Sequence, residues 1–480
     1  MNKLSLSITT LAAAALLALA SCGGGGDDAG TNPGNDTTAP VATLTAPAAA
    51  AAGLAGTITL SASATDNIAV GSIEFQVDGQ AFGSTGTGGT HSVQLDTTAY
   101  ASGQHVVRAR ARDAAGNVSA WASATVEFGG TRTQPTGFTR NSAFVSGLSN
   151  ATAMAQAPDG RWFVAQQGGA LRVVKNGALQ PAAFTTLTVD STGERGLIGV
   201  ALHPDFATNG WIYLYHTTPE NGTHNRIVRV TANPPTSDTV SVGSTALIAD
   251  LPALSATNHN GGAMHFGADG KLYVAVGDNA NGANAQDPTT VLGKMLRFND
   301  DGTIPTDNPF YAARSGQARA AWADGLRNPY TFAVQPGTGR IHINDVGEST
   351  WEEIDVGAAG ANYGWPATEG PTTAAGVTAP LFAYRHTATV PPGAGPGGFF
   401  TGCSIIGGAF YPDSGPFPVA YRGSYFFADY CSQWIGRFDL ANGAAYAFGA
   451  AGGSPVGLRV GGDGALYVLT RSGITRFSTP

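Results

Sequence analysis

The short polar segment Asn258-His259-Asn260-Gly261-Gly262 carries an imidazole on a stretch with almost nothing apolar to bury. A neutral histidine, with a reference pKa of about 6.5, accepts protons near ambient pH, so the chemistry on offer is that of a general base. A turn histidine bonded to neighbouring carbonyls is the competing reading of the same residue. The two glycines permit another group to approach the backbone closely. The segment runs into "MHFGADGKLYVAVGD", Met264 to Asp278. There Asp-Gly supplies a tight turn and the apolar residues of "KLYVAVGD" alternate with period two, which predicts strand, turn, strand. Whatever His259 does, that unit must hold it.

The unit recurs. "MAQAPDGRWFVAQQGGALRVV", "GVALHPDFATNGWIYLYHT", "AMHFGADGKLYVAVGDN", "FAVQPGTGRIHINDVGES", "YRGSYFFADYCSQWIGRFDL" and "GLRVGGDGALYVLTRSGITRF" each pair apolar strands across a turn of Asp, Asn or Gly. Six such units, at irregular spacings of roughly 45 to 80 residues, predict an all-β six-bladed β-propeller over residues 138–480, with function carried on its inserted loops. Composition agrees. A chain of 480 residues with 67 glycines, 27 prolines and only 12% charged residues favours short strands and turns, in two or three domains. Residues 40–128 hold further short alternating segments and resemble a bacterial Ig-like β-sandwich, with residues 129–137 as linker. Asp66 and Asp113 lie in its turns, where aspartate is ordinary turn chemistry and calcium binding the alternative. A net charge of −8 argues against a nucleic-acid partner.

The start of the chain is an address. Lys3 precedes "LAAAALLALA", too short to span a bilayer, and small residues follow. "LASC" resembles a bacterial lipobox. It implies a lipoprotein signal peptide over residues 1–21, lipidation of Cys22 and a flexible tether over residues 22–39. Gly23 is not the aspartate that retains such proteins at the inner membrane. The expected location is therefore exported and lipid-anchored, at the outer membrane, in the periplasm or on the cell surface. Cys403 and Cys431 are expected to pair in that compartment, with two free thiols as the alternative. No clustered Cys/His spacing suggests zinc.

"GERGLIGVALHPDFATNGWIYLYHT", "NHNGG", "LGKMLRFNDDGTIPTDNPF", "GLRNPYTFAVQP", "DVGESTWEEID" and "GANYGWP" together resemble the soluble pyrroloquinoline-quinone (PQQ) sugar dehydrogenases, the glucose/sorbosone dehydrogenase family. The resemblance runs in order from about Phe144 to Phe477 and implies a six-bladed propeller. It implies oxidation of aldose sugars to lactones, with His259 as base for the C1 hydroxyl and hydride transfer to C5 of the quinone. Arg327 and Asn328 match the pair at the quinone carbonyls, where a guanidinium would stabilise developing negative charge. Asn258 and Asn260 fall where substrate- or cofactor-facing residues lie, and Glu194 where an active-site Gln or Glu is found. Gly347 and Glu348 match the backbone ligands of the calcium beside the cofactor, and Glu353 and Tyr363 those of a second calcium. Trp365 reads as packing. The implied electron acceptor is a cytochrome or another periplasmic carrier.

One departure stands out. Family members best known for glucose activity hold the PQQ carboxylates with a lysine and two closely spaced arginines late in the chain. "AFYPDSGPF" and "GSPVGLRVGGDG" offer no equivalent. Arg459 is near but out of phase, and Arg385 or Arg422 are the other candidates. Unpaired carboxylates inside a cavity are costly. A non-catalytic surface propeller that binds glycans or protein partners, similar to hedgehog-interacting protein, is the alternative function.

Overall fold

The computed structural model describes residues 36–49, 51, 54, 57–97, 100, 103–128, 134–135, 137–386 and 400–480. Cys22, the signal segment and the tether up to residue 35 lie outside them. Among the described residues no helix is long and apolar enough to cross a membrane.

Two antiparallel sheets occupy residues 41–128. One joins Val41–Ala46, Thr57–Thr65 and Thr90–Asp96; the other joins Gln80–Thr85, Val70–Val77, Gly103–Asp113 and Ala122–Phe128. Alternate residues of both, among them Leu60, Ile73, Phe75, Leu95, Val107 and Val126, meet in one apolar core. Asp113 works as turn chemistry: its Oδ1 accepts the amides of Gly116 and Asn117 at 2.7 and 2.8 Å. Carboxylate oxygens of Asp36, Asp66 and Asp113 come within 4.8 Å of one another.

From residue 139 on, the described residues form six four-stranded antiparallel sheets in a propeller-type arrangement. Their first strands are Ala151–Gln156, Leu197–Leu202, Met264–Phe266, Pro329–Val334, Ile405–Phe410 and Pro455–Val460. Each touches the next, and the last touches the first. The sixth sheet takes its fourth strand, Thr139–Ser146, from the beginning of the region, where it pairs with Gly473–Ser478. The second strands of five sheets, such as Leu272–Val276 and Tyr425–Asp429, are buried at every position. A strand covered on both faces loses the need for polar alternation. Six apolar clusters explain the burial, each lying between two successive sheets; the one containing Val145, Met154, Trp162 and Leu469 joins the sixth sheet to the first. At about 1.5–3 kcal/mol per fully buried large side chain, these clusters are the main stabilising force.

The recurring Asp-Gly pairs do one job in three sheets. Gly160, Gly270 and Gly464 take φ of 87°, 70° and 74° at the turn between first and second strands, a conformation that favours glycine. The aspartate then braces the sheet. Asp269 Oδ2 accepts from the Tyr273 hydroxyl at 3.0 Å and Arg297 Nε at 2.9 Å, and Asp463 Oδ2 from the Tyr467 hydroxyl and Arg476 at 2.9 and 2.8 Å.

Candidate active site

His259 lies in the loop leading into the third sheet, with φ +54°. A left-handed backbone costs a non-glycine residue on the order of 1–3 kcal/mol, and the surroundings must over-determine it. They do. The His259 amide donates to Glu194 Oε2 at 2.7 Å, its carbonyl accepts the Asn279 amide at 3.2 Å, and the Gly261 amide donates to Asn328 Oδ1 at 3.1 Å. The glycines serve this packing. A Cβ on Gly261 would meet the Ala275 carbonyl at 2.5 Å, and one on Gly262 would meet Ile198 at 2.8 Å. The close approach expected from the sequence is thus made by the protein's own chain.

The imidazole is aimed. His259 Nδ1 lies 2.7 Å from Oδ1 of Asp278, a carboxylate only 1% exposed. The same carboxylate accepts the Ala280 amide at 2.8 Å and, through Oδ2, Trp365 Nε1 at 2.8 Å. Surrounded by donors, Asp278 accepts from Nδ1–H and leaves Nε2 as the nitrogen that can take a proton. Trp365 therefore does more than pack. It positions Asp278, and its ring lies 5.5 Å from the Arg327 guanidinium carbon.

Arg327 and Asn328 stand on the turn into the fourth sheet. Their amides donate to Asp345 Oδ2 and Oδ1 at 2.9 and 2.7 Å, and the Arg327 carbonyl accepts the Asp278 amide at 2.8 Å. Burial pushes the Asp345 carboxyl well above the usual range, with Glu353 adding to the shift and the two amides opposing it. Arg327 donates from one terminal nitrogen to the Val346 carbonyl at 3.1 Å, while its buried Nε has no hydrogen-bond partner among the described residues.

These groups open into one cavity of about 460 Å³, ringed by Thr152, Tyr330, Ile406 and Val456 from the first strands. That volume lies within the range of about 300–1,000 Å³ typical of small-molecule sites. Six of the expected residues line it together: Glu194, His259, Arg327, Asn328, Gly347 and Glu348. Cys403 and Cys431 form a disulfide and also belong to its wall.

Other expectations need correction. Asn260 is 1% exposed and turned inward; its Nδ2 donates to the Thr257 carbonyl and its Oδ1 accepts from Asn225. Asn258 does not line the cavity either, and its carbonyl accepts from Asn279. Glu353 and Tyr363 do not line the cavity. Arg385 stacks over Trp351 and Arg422 donates to the Phe417 carbonyl, both away from the cavity. Arg459 reaches an adjacent, smaller cavity and donates to His265 Nε2 at 3.0 Å. The sequence reading missed Asp278, Arg471 and Glu369.

The oxygen-rich groups suit calcium. Glu369 Oε1 gathers the amides of Glu348, Ser349, Thr350 and Trp351 at 2.8 to 3.3 Å, which fixes the loop bearing Gly347 and Glu348 at the cavity. Behind it Asp345, Glu353 and Asp355 interact within the fourth sheet. Burial drives the Glu353 carboxyl up to about 7, and both buried oxygens of Asp355 lack a hydrogen-bond partner among the described residues. Orphaned carboxylate oxygens are the ligand type a hard cation takes, but among the described residues only the carboxylates of Asp36, Asp66 and Asp113 converge within 4.8 Å of one another. Tyr363 fits less well through its side chain, because its hydroxyl is used on the Val356 carbonyl at 2.8 Å.

Fold and site together define a propeller-type protein in which a carboxylate-braced imidazole faces a cavity lined by two arginines and two glutamates. Residues 148–477 match the Glucose / Sorbosone dehydrogenase family, and the chain belongs to it; residues 40–109 match a bacterial Ig domain. Over 223 residues, 46% of this chain, it is 33% identical to the aldose sugar dehydrogenase YliI of Escherichia coli (strain K12), covering 59% of that protein. Over 255 residues, 47% of this chain, it is 29% identical to quinoprotein glucose dehydrogenase B of Acinetobacter calcoaceticus, covering 52% of it. The chain thus spans little more than half the length of these curated relatives. The crystal structure of the soluble aldose sugar dehydrogenase from Escherichia coli in the apo-form aligns at 26% identity with a TM-score of 0.62, covering 72% of this chain and 100% of that one.

Proposed function

We propose that this protein oxidises aldose sugars to lactones with PQQ and calcium, and passes the electrons to a periplasmic acceptor such as a cytochrome. The proposal includes export and lipid anchoring through Cys22. It also takes the six sheets as six blades closed by Thr139–Ser146, with residues 40–128 as an Ig-like sandwich. The observation that carries it is His259, held from behind by Asp278, in a cavity shared with Arg327. The names of the relatives support the substrate class and the quinone.

When bound, PQQ supplies the two-electron acceptor for the C1 hydride. The chain's part is proton transfer and orientation. His259 Nε2 removes the C1 hydroxyl proton, and Asp278 fixes the tautomer and stabilises the imidazolium that results. Arg327 and Asn328 would face the quinone oxygens, where a guanidinium in a sequestered site favours developing negative charge. Glu194 holds the His259 backbone and borders the cavity, where it would meet the sugar. Gly347 and Glu348 would hold the calcium beside the cofactor, and the buried acids around Glu353 the second ion. A non-catalytic binding propeller has no use for a buried carboxylate aimed at His259.

Purified protein reconstituted with PQQ and calcium should reduce an artificial electron-accepting dye in the presence of at least one aldose. No PQQ binding by titration, together with no turnover across a broad sugar panel, would remove the proposal.

A further inference from the structure

The cavity holds two guanidinium groups, and only Arg327 was expected there. The second, Arg471, follows the strand Leu466–Thr470 of the sixth sheet and lines the same cavity. Its backbone is pinned to the first sheet, since its carbonyl accepts the Ala151 amide at 3.0 Å. Its side chain is set by Gln167. The Gln167 amide nitrogen donates to the carbonyls of Ser191, Gly193 and Arg195 at 3.3, 2.7 and 3.0 Å, so its oxygen is left to accept from Arg471. A second terminal nitrogen donates to the Ala151 carbonyl at 3.3 Å.

Those two acceptors use two of the five N–H groups of a guanidinium. Neither Arg471 nor Arg327 forms an ion pair among the described residues, whereas Arg161, Arg195, Arg297 and Arg314 elsewhere each sit on a carboxylate. The cavity's two carboxylates, Glu194 and Glu348, form no direct ion pair with Arg327 or Arg471, so both guanidinium groups keep N–H donors that a ligand anion can take. A guanidinium fork matches a carboxylate better than any other side chain does.

We infer that Arg471, oriented by Gln167, anchors a carboxylate of the bound cofactor and replaces the late cationic residues that this chain lacks. The inference rests on the PQQ reading of the cavity. PQQ carries three carboxylates around its ring system, and one of them lies on the edge away from the quinone oxygens. Arg327 and Arg471 come from the fourth and sixth sheets, so one ligand spanning the cavity can meet both.

The test is binding, independent of turnover. Wild type, Arg471→Gln and Arg471→Lys are titrated with PQQ and with its uncharged trimethyl ester, in calcium, after thermal unfolding confirms that each is folded. Wild type should prefer PQQ to the ester. Arg471→Gln should weaken PQQ binding about 10- to 100-fold, the size of a lost charge-assisted contact, while binding the ester as wild type does. Arg471→Lys, which keeps the charge without the fork, should fall between. Equal weakening of both ligands would mean a structural role only, and unchanged PQQ affinity would mean no contact; either overturns the inference. Failure of wild type to bind PQQ at all would overturn the proposed function itself, and this assignment with it.

Discussion

The sharpest demand on the proposed mechanism concerns Asp278, which would act on the sugar only through His259. It is 1% exposed, and its carboxylate receives three donors: His259 Nδ1, the Ala280 amide and Trp365 Nε1. Replacing it with asparagine keeps the shape and turns one oxygen into an NH2 donor. If that group faces Trp365, two N–H groups oppose each other. If it faces His259, the imidazole must accept on Nδ1 and carry its proton on Nε2, where it can no longer act as a base. Either arrangement leaves a buried donor unsatisfied, at roughly 1–3 kcal/mol of stability. The effect on turnover should be larger, because a positioned general base contributes about 100- to 10,000-fold. Dye-linked turnover of Asp278→Asn should fall by about that factor, with PQQ affinity changing within about threefold, since the residue does not line the cavity. His259→Ala should lose turnover likewise while keeping PQQ binding. In the His259→Ala background Asp278→Asn should add almost nothing, because the two groups act as a unit. Turnover of Asp278→Asn within about threefold of wild type would refute the reasoning. So would losses that simply multiply in the double variant.

Three further outcomes follow from other parts of the site. Replacing Cys403 and Cys431 by serine opens a loop of 28 residues; loop entropy puts the loss near about 3.6 kcal/mol, read as a lower denaturation midpoint, with weaker PQQ binding because the bridge is cavity wall. Glu369→Gln should lower calcium affinity in titration calorimetry, since four amides of the loop carrying Gly347 and Glu348 converge on that carboxylate. Hydrogen bonds from Thr192, then Arg195, hold the Asp190 carboxyl below its usual value. A depressed acid stabilises the fold above its unfolded pKa and loses that contribution as pH falls through the folded value. Hydrogen-exchange protection of residues 190–195 should therefore collapse below about pH 3.8, and Asp190→Asn should remove the step.

What could be read from the sequence was what repeats or stays local. The Asp-Gly turns recur in phase because each closes the same strand pair, so Asp159, Asp269 and Asp463 announced the sheets. His259 was visible because a lone imidazole between asparagines and glycines has no packing role to hide in. Its partners were not visible, because the contacts are distant along the chain. Asp278 lies 19 residues from His259, Trp365 is 87 residues from Asp278, and Arg471 is 304 from Gln167. Asn258 and Asn260 misled for the opposite reason: adjacency to the base suggested a shared target, but the left-handed backbone at His259 sends its neighbours elsewhere.

One signal in the sequence could have found Asp278. The second strands of the fourth and fifth sheets end "HIND" and "FFAD" at Asp345 and Asp429, and that of the third runs out through "AVGD" to Asp278, two residues past its end. In two of them the aspartate's task is the same. Asp345 accepts the amides of Arg327 and Asn328, and Asp429 those of Cys403 and Ser404, so each carboxylate ties down the loop leading into its own sheet. In the third sheet that task has moved to neighbours: Glu194 takes the His259 amide and Asn328 takes that of Gly261. Relieved of the loop, Asp278 is free to hold the imidazole. A site can thus arise from a repeated structural device when adjoining sheets take over its mechanical duty, which is why its partners converge from the second, third and fourth sheets at the mouth of one cavity.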